Sequence, residues 1–186
     1  KSKDNFSEII QNVTYNAFNK VATINEDIYR MELTYGTVAE RRKVVMKQNN
    51  NPIWTKYNAE DYEKTVSANG ATRELHYISG SEGLCAIYVK NSISTEDTLY
   101  YIFTDHLGSI TTIADKDGNP LQRLRYDTWG KRSIDWNETG YSTYLFDRGF
   151  TGHEHLDAFK LINMNGRVYD PVLGRFLSPD NFVQNS

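Results

Sequence analysis

Short runs rich in β-branched and aromatic residues, separated by turn residues, follow one another along most of the chain. The spacing between turns is roughly ten to fifteen residues, which is typical of antiparallel meanders, because such short connections cannot cross over to a parallel neighbour. The pattern predicts a mainly β protein, an antiparallel meander of short strands and hairpins with little helix. The predicted strands are residues 42–47, 52–57, 72–78, 84–90, 98–104, 109–114 and 121–126.

Three glycine-containing loops are predicted to join neighbouring strands as hairpins, namely residues 79–83, 105–108 and 115–119. Residues 57–67 (YNAEDYEKTVS) show the weakest alternation and are predicted to form a loop or one helical turn. A second helical turn is predicted between His153 and Phe159.

A short sequence motif recurs at the ends of predicted strands. Residues 15–21 (YNAFNKV) and 126–132 (YDTWGKR) both read Tyr, then Asn or Asp, a small residue, an aromatic, Asn or Gly, and Lys. Asn and Gly tolerate left-handed backbone, so the same turn is predicted at the same offset after each tyrosine. Residues 35–36 (YG) are a third, degraded copy. Repetition of this kind indicates an array of similar units.

These repeats resemble the YD repeat, and the end of the chain resembles a family that closes such arrays. Residues 150–180 (FTGHEHLDAFKLINMNGRVYDPVLGRFLSPD) are similar to the end of the RHS repeat-associated core domain of large bacterial proteins. Residues 105–109 (DHLGS) match another signature of that family. The resemblance implies degenerate YD-repeat hairpins over residues 1–96 and the core domain, ending in the DPxxGRF motif, over residues 97–186.

The function implied by this resemblance is structural. The chain would form the closing segment of a bacterial RHS/YD-repeat shell that encloses or presents a C-terminal variable, toxin-like segment. Its partners would be the neighbouring YD repeats of the parent chain and that cargo, and the parent would be secreted or displayed at the cell surface. Because a strip of sheet has open strand edges, self-association through those edges is also expected.

Asp170 and Asp180 are the candidate catalytic carboxylates, with Arg167 and Arg175 beside them in sequence. Two neighbouring carboxyl groups share a proton and can act as base and acid, and an arginine can orient one of them or stabilise an oxyanion. The residue types alone favour a simpler interpretation, in which both aspartates cap turns.

The resemblance implies an alternative function as an aspartyl self-cleaving core domain that releases the cargo. The family's pattern is D-P-x-x-G-x-x-x-x-x-D-P-x-G. The chain departs from it at Asn181 and Val183, where the family has Pro and Gly. These 186 residues are not themselves predicted to be an active enzyme, and autocleavage is expected only in the longer parent. The matching positions are Asp170, Pro171, Gly174 and Asp180.

Two further sites are weighed on residue types. The run of His153, Glu154 and His155, with Asp157 close by, suggests a metal site. Its spacing differs from that of zinc enzymes, and a polar surface turn is favoured. A second alternative function is a cell-surface adhesion or carbohydrate-binding module, which a cleft lined by any one of three tryptophans, with convergent polar groups, would favour. The candidate tryptophans are Trp54, Trp129 and Trp136.

Composition and charge exclude several classes of partner and cofactor. The net charge is −3 and no basic stripe is present, so nucleic acid is not an expected partner. No apolar run approaches the length of a membrane helix, and membrane insertion is not expected. No phosphate loop or dinucleotide fingerprint occurs, so no cofactor is predicted. Cys85 is the single cysteine, which excludes an internal disulfide, and its apolar neighbours predict a buried structural thiol.

Overall fold

The computed structural model describes residues 2–4 and 7–179, and side chains from residue 10 onward. The described residues form a two-stranded sheet, a twelve-stranded sheet and a four-stranded sheet. The small sheet consists of β1 (Ser2–Asp4) and β2 (Ser7–Ile10). The main sheet consists of β3 (Asn12–Tyr15), β4 (Val21–Glu26), β5 (Tyr29–Tyr35), β6 (Arg41–Gln48), β7 (Asn51–Ala59), β8 (Tyr62–Ser67), β9 (Thr72–Gly80), β10 (Gly83–Asn91), β11 (Thr98–Thr104), β12 (Ile110–Ala114), β13 (Pro120–Tyr126) and β14 (Arg132–Asn137).

The chain then leaves the main sheet and forms a compact C-terminal segment, residues 142–179. It contains β15 (Glu154–Leu156), β16 (Leu161–Met164), β17 (Arg167–Asp170) and β18 (Arg175–Phe176). Two single turns of 3-10 helix, Phe150–Gly152 and Asp157–Phe159, are the helices of the described chain. The second confirms the helical turn predicted before Phe159.

Every strand of the main sheet pairs antiparallel with its neighbour in sequence. The predicted mainly β meander is therefore confirmed, as are the three predicted hairpin loops. The loop or helical turn predicted over residues 57–67 is wrong, because these residues form the end of β7, a two-residue turn and β8. Cross-strand pairing decides this, since Tyr62 lies opposite His76 in β9 and their rings are 4.9 Å apart.

One five-residue turn recurs through the molecule. Its first residue donates its N–H to the carbonyl of the fifth, and its fourth donates to the carbonyl of the first. The fourth residue always has a positive φ, and it is Asn19 in the first copy and Gly130 in the last copy of the main sheet. The repeat read from the sequence is thus confirmed as a repeat of backbone shape. Copies lie at residues 16–20, 36–40, 67–71, 105–109, 115–119, 127–131 and 149–153.

Side chains at the first position explain why Asp and Asn recur there. In four copies one side-chain oxygen accepts the N–H groups of the third and fifth residues, as Asp127 Oδ1 does from Trp129 and Lys131, both at 2.9 Å. Gly36 has no side chain, and Glu40 Oε2 instead accepts the N–H of Val38 at 3.1 Å. The degraded third copy therefore keeps its shape with a different acceptor.

The main sheet is strongly curled around the C-terminal segment. Twelve strands spaced about 4.8 Å apart would span about 50 Å if the sheet were flat. Beside β3, the Gln11 amide donates to the carbonyl of Phe159 at 3.1 Å, while Arg132 in β14 donates to the Asp157 carboxylate at 2.6 Å. Asp157 and Phe159 are two positions apart, at most about 7 Å. The two edges of the sheet consequently approach each other across this segment.

The inner face of the curled sheet carries two hydrophobic clusters, and the C-terminal segment contributes to both. The first joins β4–β6 to the segment and contains Val21, Ile24, Met31, Leu33, Val44, Met46, Leu156, Phe159, Leu161 and Val168. The second joins β9–β13 to Phe146 and contains Leu75, Ile87, Val89, Ile102, Ile110, Ile113 and Leu124. Burial of these side chains is the main force that holds the segment on the sheet.

Cys85 is exposed, so the buried thiol predicted from its neighbours is wrong. The register of β9 and β10 shifts between Leu84 and Ala86, and Cys85 is the extra residue of this bulge. A bulge breaks the alternation that a plain strand would impose, which is why the apolar neighbours of Cys85 misled the prediction. Its Sγ lies 3.2 Å from the carbonyl oxygen of Ile78.

Two glycines at the same position of the repeated turn offer a matched test of packing. Gly118 and Gly130 both have φ of 87°, but a Cβ on Gly118 would meet open space, whereas one on Gly130 would lie 2.5 Å from the Phe150 ring. We expect Gly118→Ala to lower the free energy of unfolding by about 1 kcal/mol through backbone strain alone. Gly130→Ala should cost about 2–4 kcal/mol, since overpacking is added. Urea denaturation of both variants measures the difference, and equal losses would contradict the contact.

Candidate functional site

Asp170 ends β17 and is completely buried. Its Oδ1 accepts the N–H groups of Val172 at 2.9 Å and Leu173 at 3.1 Å, so the carboxylate caps the turn to β18. The turn ends at Gly174, whose φ is 62° and whose Cβ, if present, would lie 2.9 Å from Trp129 Cε3. The DPxxG motif is therefore a capped turn packed on the turn at 127–131.

The two candidate arginines flank this turn in different ways. The Arg167 guanidinium stacks on the Phe176 ring, 3.8 Å from its centroid. Arg175 is exposed and is the register partner of Asp170 in the β17–β18 ladder. Asp180 lies outside the described residues. The structure thus shows the turn-capping role for Asp170, while the acid–base pair of Asp170 and Asp180 stays a prediction.

A cluster of charged side chains, with Lys56, Glu63 and Glu154 buried at its centre and Asp147 at its exposed rim, joins the inner face of the main sheet to the C-terminal segment. We call it the Lys56 cluster. The Lys56 ammonium in β7 lies 2.7 Å from Glu154 Oε1, 2.5 Å from Asp147 Oδ2 and 3.7 Å from Glu63 Oε2. Lys56, Glu63 and Glu154 are all buried. Two of its carboxylates belong to the C-terminal segment, so the ion pairs cross the interface. The cluster consists of Arg41, Lys56, Glu63, Asp147, Arg148 and Glu154.

Two arginines balance the remaining charge of the Lys56 cluster. Arg41 in β6 forms an ion pair with Glu154 Oε2, and Arg148 Nη2 lies 3.0 Å from Glu63 Oε1 in β8. The Arg148 guanidinium also lies over the Tyr77 ring, 4.4 Å from its centroid. Buried charges are tolerated when they are paired in this way, and removal of one partner leaves an uncompensated charge.

The pKa shifts of the Lys56 cluster follow from burial and from this pairing. Burial alone would lower the pKa of Lys56, but the carboxylates of Glu154, Asp147 and Glu63 outweigh it and hold that pKa well above its usual value. Burial likewise would raise the pKa of Glu154, yet Lys56 and Arg41 hold it far below its usual range. Lys56 and Glu154 therefore remain charged across the physiological pH range.

Arg132 fixes the C-terminal segment at the other edge of the sheet. Its Nη1 donates to the carbonyls of Phe146 at 2.8 Å and Asp147 at 3.2 Å, and its Nη2 donates to Asp157 at 2.6 Å. Its guanidinium lies 3.8 Å from the centroid of the Tyr144 ring. Five donors on a planar group allow one side chain to hold several carbonyls at once.

The polar surface turn predicted around His153 is wrong, because Glu154 and His155 are buried between the sheet and the C-terminal segment. His155 Nε2 accepts the N–H of Phe150 at 3.1 Å, and burial together with nearby Arg132 lowers its pKa to about 3. Within the described part of the chain, no group of His, Cys, Asp and Glu side chains is arranged to hold a metal ion.

No charge cluster around Lys56 is predicted from the sequence, where Glu154 appears only as part of the rejected metal candidate. Alternation along β7 places Trp54 and Lys56 on one face, so a charged side chain on an inward face was the available signal. The two partners of Lys56 in the C-terminal segment, Asp147 and Glu154, are 91 and 98 positions away in sequence, and no local pattern connects them to it.

The three tryptophans contact different parts of the molecule. Trp54 lines a cavity of about 330 Å³ beside Asp147 and Leu156, Trp129 packs on Gly174, and Trp136 lies under the Arg123 guanidinium. The three side chains do not share one cleft, but the cavity beside Trp54 is also lined by Asp147, Glu154 and His155. The adhesion or carbohydrate-binding hypothesis therefore stays a prediction. The described residues also contain no helix that is long and apolar enough to span a membrane.

Comparisons with known proteins agree with the observed fold. A family model described as Teneurin YD-shell matches residues 87–186, more than half of the chain. Solved structures described as TcdB2-TccC3 and as TcdB2-TccC3 without its hypervariable C-terminal region are similar, with 20% and 19% identity and TM-scores of 0.72 and 0.73. The Photorhabdus luminescens Tc holotoxin pore is similar at 18% identity and a TM-score of 0.72. Each match covers 92% of this chain and 9% of the other, and at this identity it shows a shared fold.

Proposed function

The chain belongs to the teneurin YD-shell family, and from that premise we propose that it closes the shell of a longer parent protein around a C-terminal cargo segment. The strip of sheet would continue the wall built by preceding YD repeats, and residues 97–186 would act as the RHS core domain. The chain spans about a tenth of the length of the solved relatives it matches, so the wall itself and the cargo lie in the parent.

The observation that carries this proposal is the attachment of the C-terminal segment across the inner face of the sheet. Three successive strands, β6, β7 and β8, contribute charged residues to the Lys56 cluster, and β14 contributes Arg132. We infer that these ion pairs set the position of the segment on the sheet, because a buried ion pair often adds little net stability. Such pairing is suited to holding a closing segment in one place on the wall.

Release of the cargo to solvent tests shell closure. In the parent protein we expect Lys56→Met to make the C-terminal cargo segment sensitive to added protease, because the segment that closes the wall loses its central ion pairs. Lys64→Met is the matched control, since the Lys64–Glu74 pair lies on partly exposed side chains of the neighbouring strands. Equal protection of the cargo in both variants would argue against closure by this segment.

Secretion or surface display of the parent, and its neighbouring repeats as partners, are further parts of this proposal. Outside their parent, β3 and β14 are the terminal strands of the described main sheet, and their free edges should promote self-association. Light scattering of the isolated chain should show a mass that increases with concentration. A constant monomer mass would contradict open edges.

A second proposal is autocleavage by the parent. It rests on the motif match at Asp170, Pro171, Gly174 and Asp180 and on the burial of the Asp170 carboxylate, since two neighbouring carboxyl groups can share a proton and act as base and acid. The longer parent should release a C-terminal piece unaided, and Asp170→Asn or Asp180→Asn should each leave it intact in mass spectra.

The asparagine variant at 170 also separates chemistry from folding. An asparagine oxygen can still accept the N–H groups of Val172 and Leu173, so the turn is retained while the acid is lost. Asp117→Asn, on an exposed turn, is the control and should still be cut. An uncut parent with both aspartates present would end this proposal and leave shell closure untouched.

A further inference from the structure

A cavity of about 440 Å³ lies between the turn at 127–131 and the C-terminal segment. Its apolar lining consists of Leu161, Pro171, Val172 and the Tyr144 ring. Its volume is in the range of sites for small molecules, which usually combine apolar walls with a few polar groups. The site lies beside the DPxxG turn but does not include Asp170 among its lining residues.

The polar residues that line the cavity carry an excess of positive charge. Lys131 and Lys160 line it, and both side chains are exposed and have no ion-pair partner among the described residues. Arg132 also lines it and is paired with Asp157. Three cations against one carboxylate leave two positive charges at the site. Such a surplus around a partly apolar cavity favours an anionic ligand.

Two N–H groups of the lining residues add to the polar lining, and the first of them is buried without a hydrogen-bond partner in the described part of the chain. The Nε of Arg132 is buried and lacks a hydrogen-bond partner among the described residues, although the Arg132 side chain is only 2% exposed. His155 uses Nε2 to accept the Phe150 N–H, so in the neutral ring the hydrogen is on Nδ1. A buried donor without a partner is costly, and a ligand oxygen would satisfy it.

We propose that this cavity binds a carboxylate carried on a short aliphatic group. The lysine ammonium groups and the N–H donors would take the carboxylate, while Leu161, Pro171 and Val172 would contact the aliphatic part. This chemistry has two sources, a free small acid or the terminal carboxylate of a peptide that ends in an aliphatic residue. Inorganic phosphate is also an anion, but it has no apolar part that could contact Leu161, Pro171 and Val172.

Amide NMR spectra of the chain at neutral pH, titrated with isocaproate, test the site. We expect the amide signals of Lys131, Lys160, Leu161 and Val172 to shift together with millimolar affinity. Isocaproamide has the same shape without the charge and should bind about tenfold more weakly. N-acetyl-leucine is the peptide-type probe, and tighter binding of it than of isocaproate would identify the peptide terminus as the source.

Variants of exposed residues keep the test independent of folding. Lys131→Gln and Lys160→Gln should each weaken isocaproate binding several-fold, whereas Lys116→Gln, on an exposed turn where that lysine pairs with Asp117, should not change it. Val172→Trp should abolish binding by filling the apolar wall. The proposal is overturned if isocaproate shifts none of these signals, if isocaproamide or phosphate binds equally well, or if the two lysine variants bind like Lys116→Gln.

Discussion

Replacing Lys56 by methionine should lower the free energy of unfolding by about 3–5 kcal/mol, the usual effect of removing one partner from a buried ion pair. Methionine fills a similar volume but leaves Glu154, Asp147 and Glu63 without the ammonium that they share. Arg41 and Arg148 still balance two of these carboxylates, so the chain should fold and remain measurable. Urea denaturation at neutral pH gives the loss.

The location of the effect distinguishes an interface from a general core defect. Hydrogen exchange in Lys56→Met should accelerate most in the C-terminal segment, because that segment supplies Asp147 and Glu154. Lys64→Met, which removes the partly exposed pair with Glu74, should leave both stability and exchange nearly unchanged. A uniform acceleration across the main sheet would show that the Lys56 cluster does not hold this segment in particular.

Acidification should destabilise the chain through His155. The folded-state pKa of this side chain is lowered to about 3, against an ordinary value of 6.5, chiefly because burial disfavours the charged ring. A group whose pKa is lower in the folded state than in the unfolded state stabilises the fold fully at pH values above its unfolded pKa. This stabilisation is lost as the pH falls through the folded-state pKa. The expected loss is about 2 kcal/mol near pH 5 and about 4 kcal/mol near pH 3.

The groups around His155 explain why its protonation is unfavourable. Arg132 on β14 and His153 on the same segment oppose a positive ring, Glu154 alone favours it, and protonation of Nε2 removes the acceptor of the Phe150 N–H. His155→Gln keeps an acceptor but does not titrate. Between neutral pH and pH 5, above the range where most carboxylates titrate, this variant should lose much less stability than the original chain. The remaining loss is assigned to His153, whose pKa burial also lowers. His106→Gln, in an exposed turn, should keep the original profile.

The repeated turn could be predicted from residues that are close together in the sequence. Gly130 carries enough information to predict a turn with a left-handed fourth residue, and the structure confirms it. The capping by Asp127 is visible only in the structure. The same reasoning failed for residues 57–67, because β7 and β8 are specified by cross-strand partners rather than by a turn signature. It failed at Cys85 because one extra residue in a bulge reverses which side chains face inward.

The candidate site could be predicted only in part, because many of its contacts join residues that are far apart in the sequence. Asp170 was found because a Pro–Gly turn marks it, and its capping role follows from the same local chemistry. The cationic partners of Glu154 were not found, because they come from strands 98 and 113 positions earlier in the sequence. A polar segment such as the one around His153 is predicted to lie on the surface when the residues that pair with it are unknown.

The sequence by itself determined the order of strands and turns and the position of the repeats, since alternation, turn chemistry and left-handed residues act within a few positions of the chain. Only the tertiary structure decided which charges are buried together. That outcome depends on how far twelve strands curl, a sum of small twists over the whole sheet that brings Gln11 and Arg132 onto the same segment. Burial then turns Lys56 and Glu154 from solvated charges into an obligatory pair.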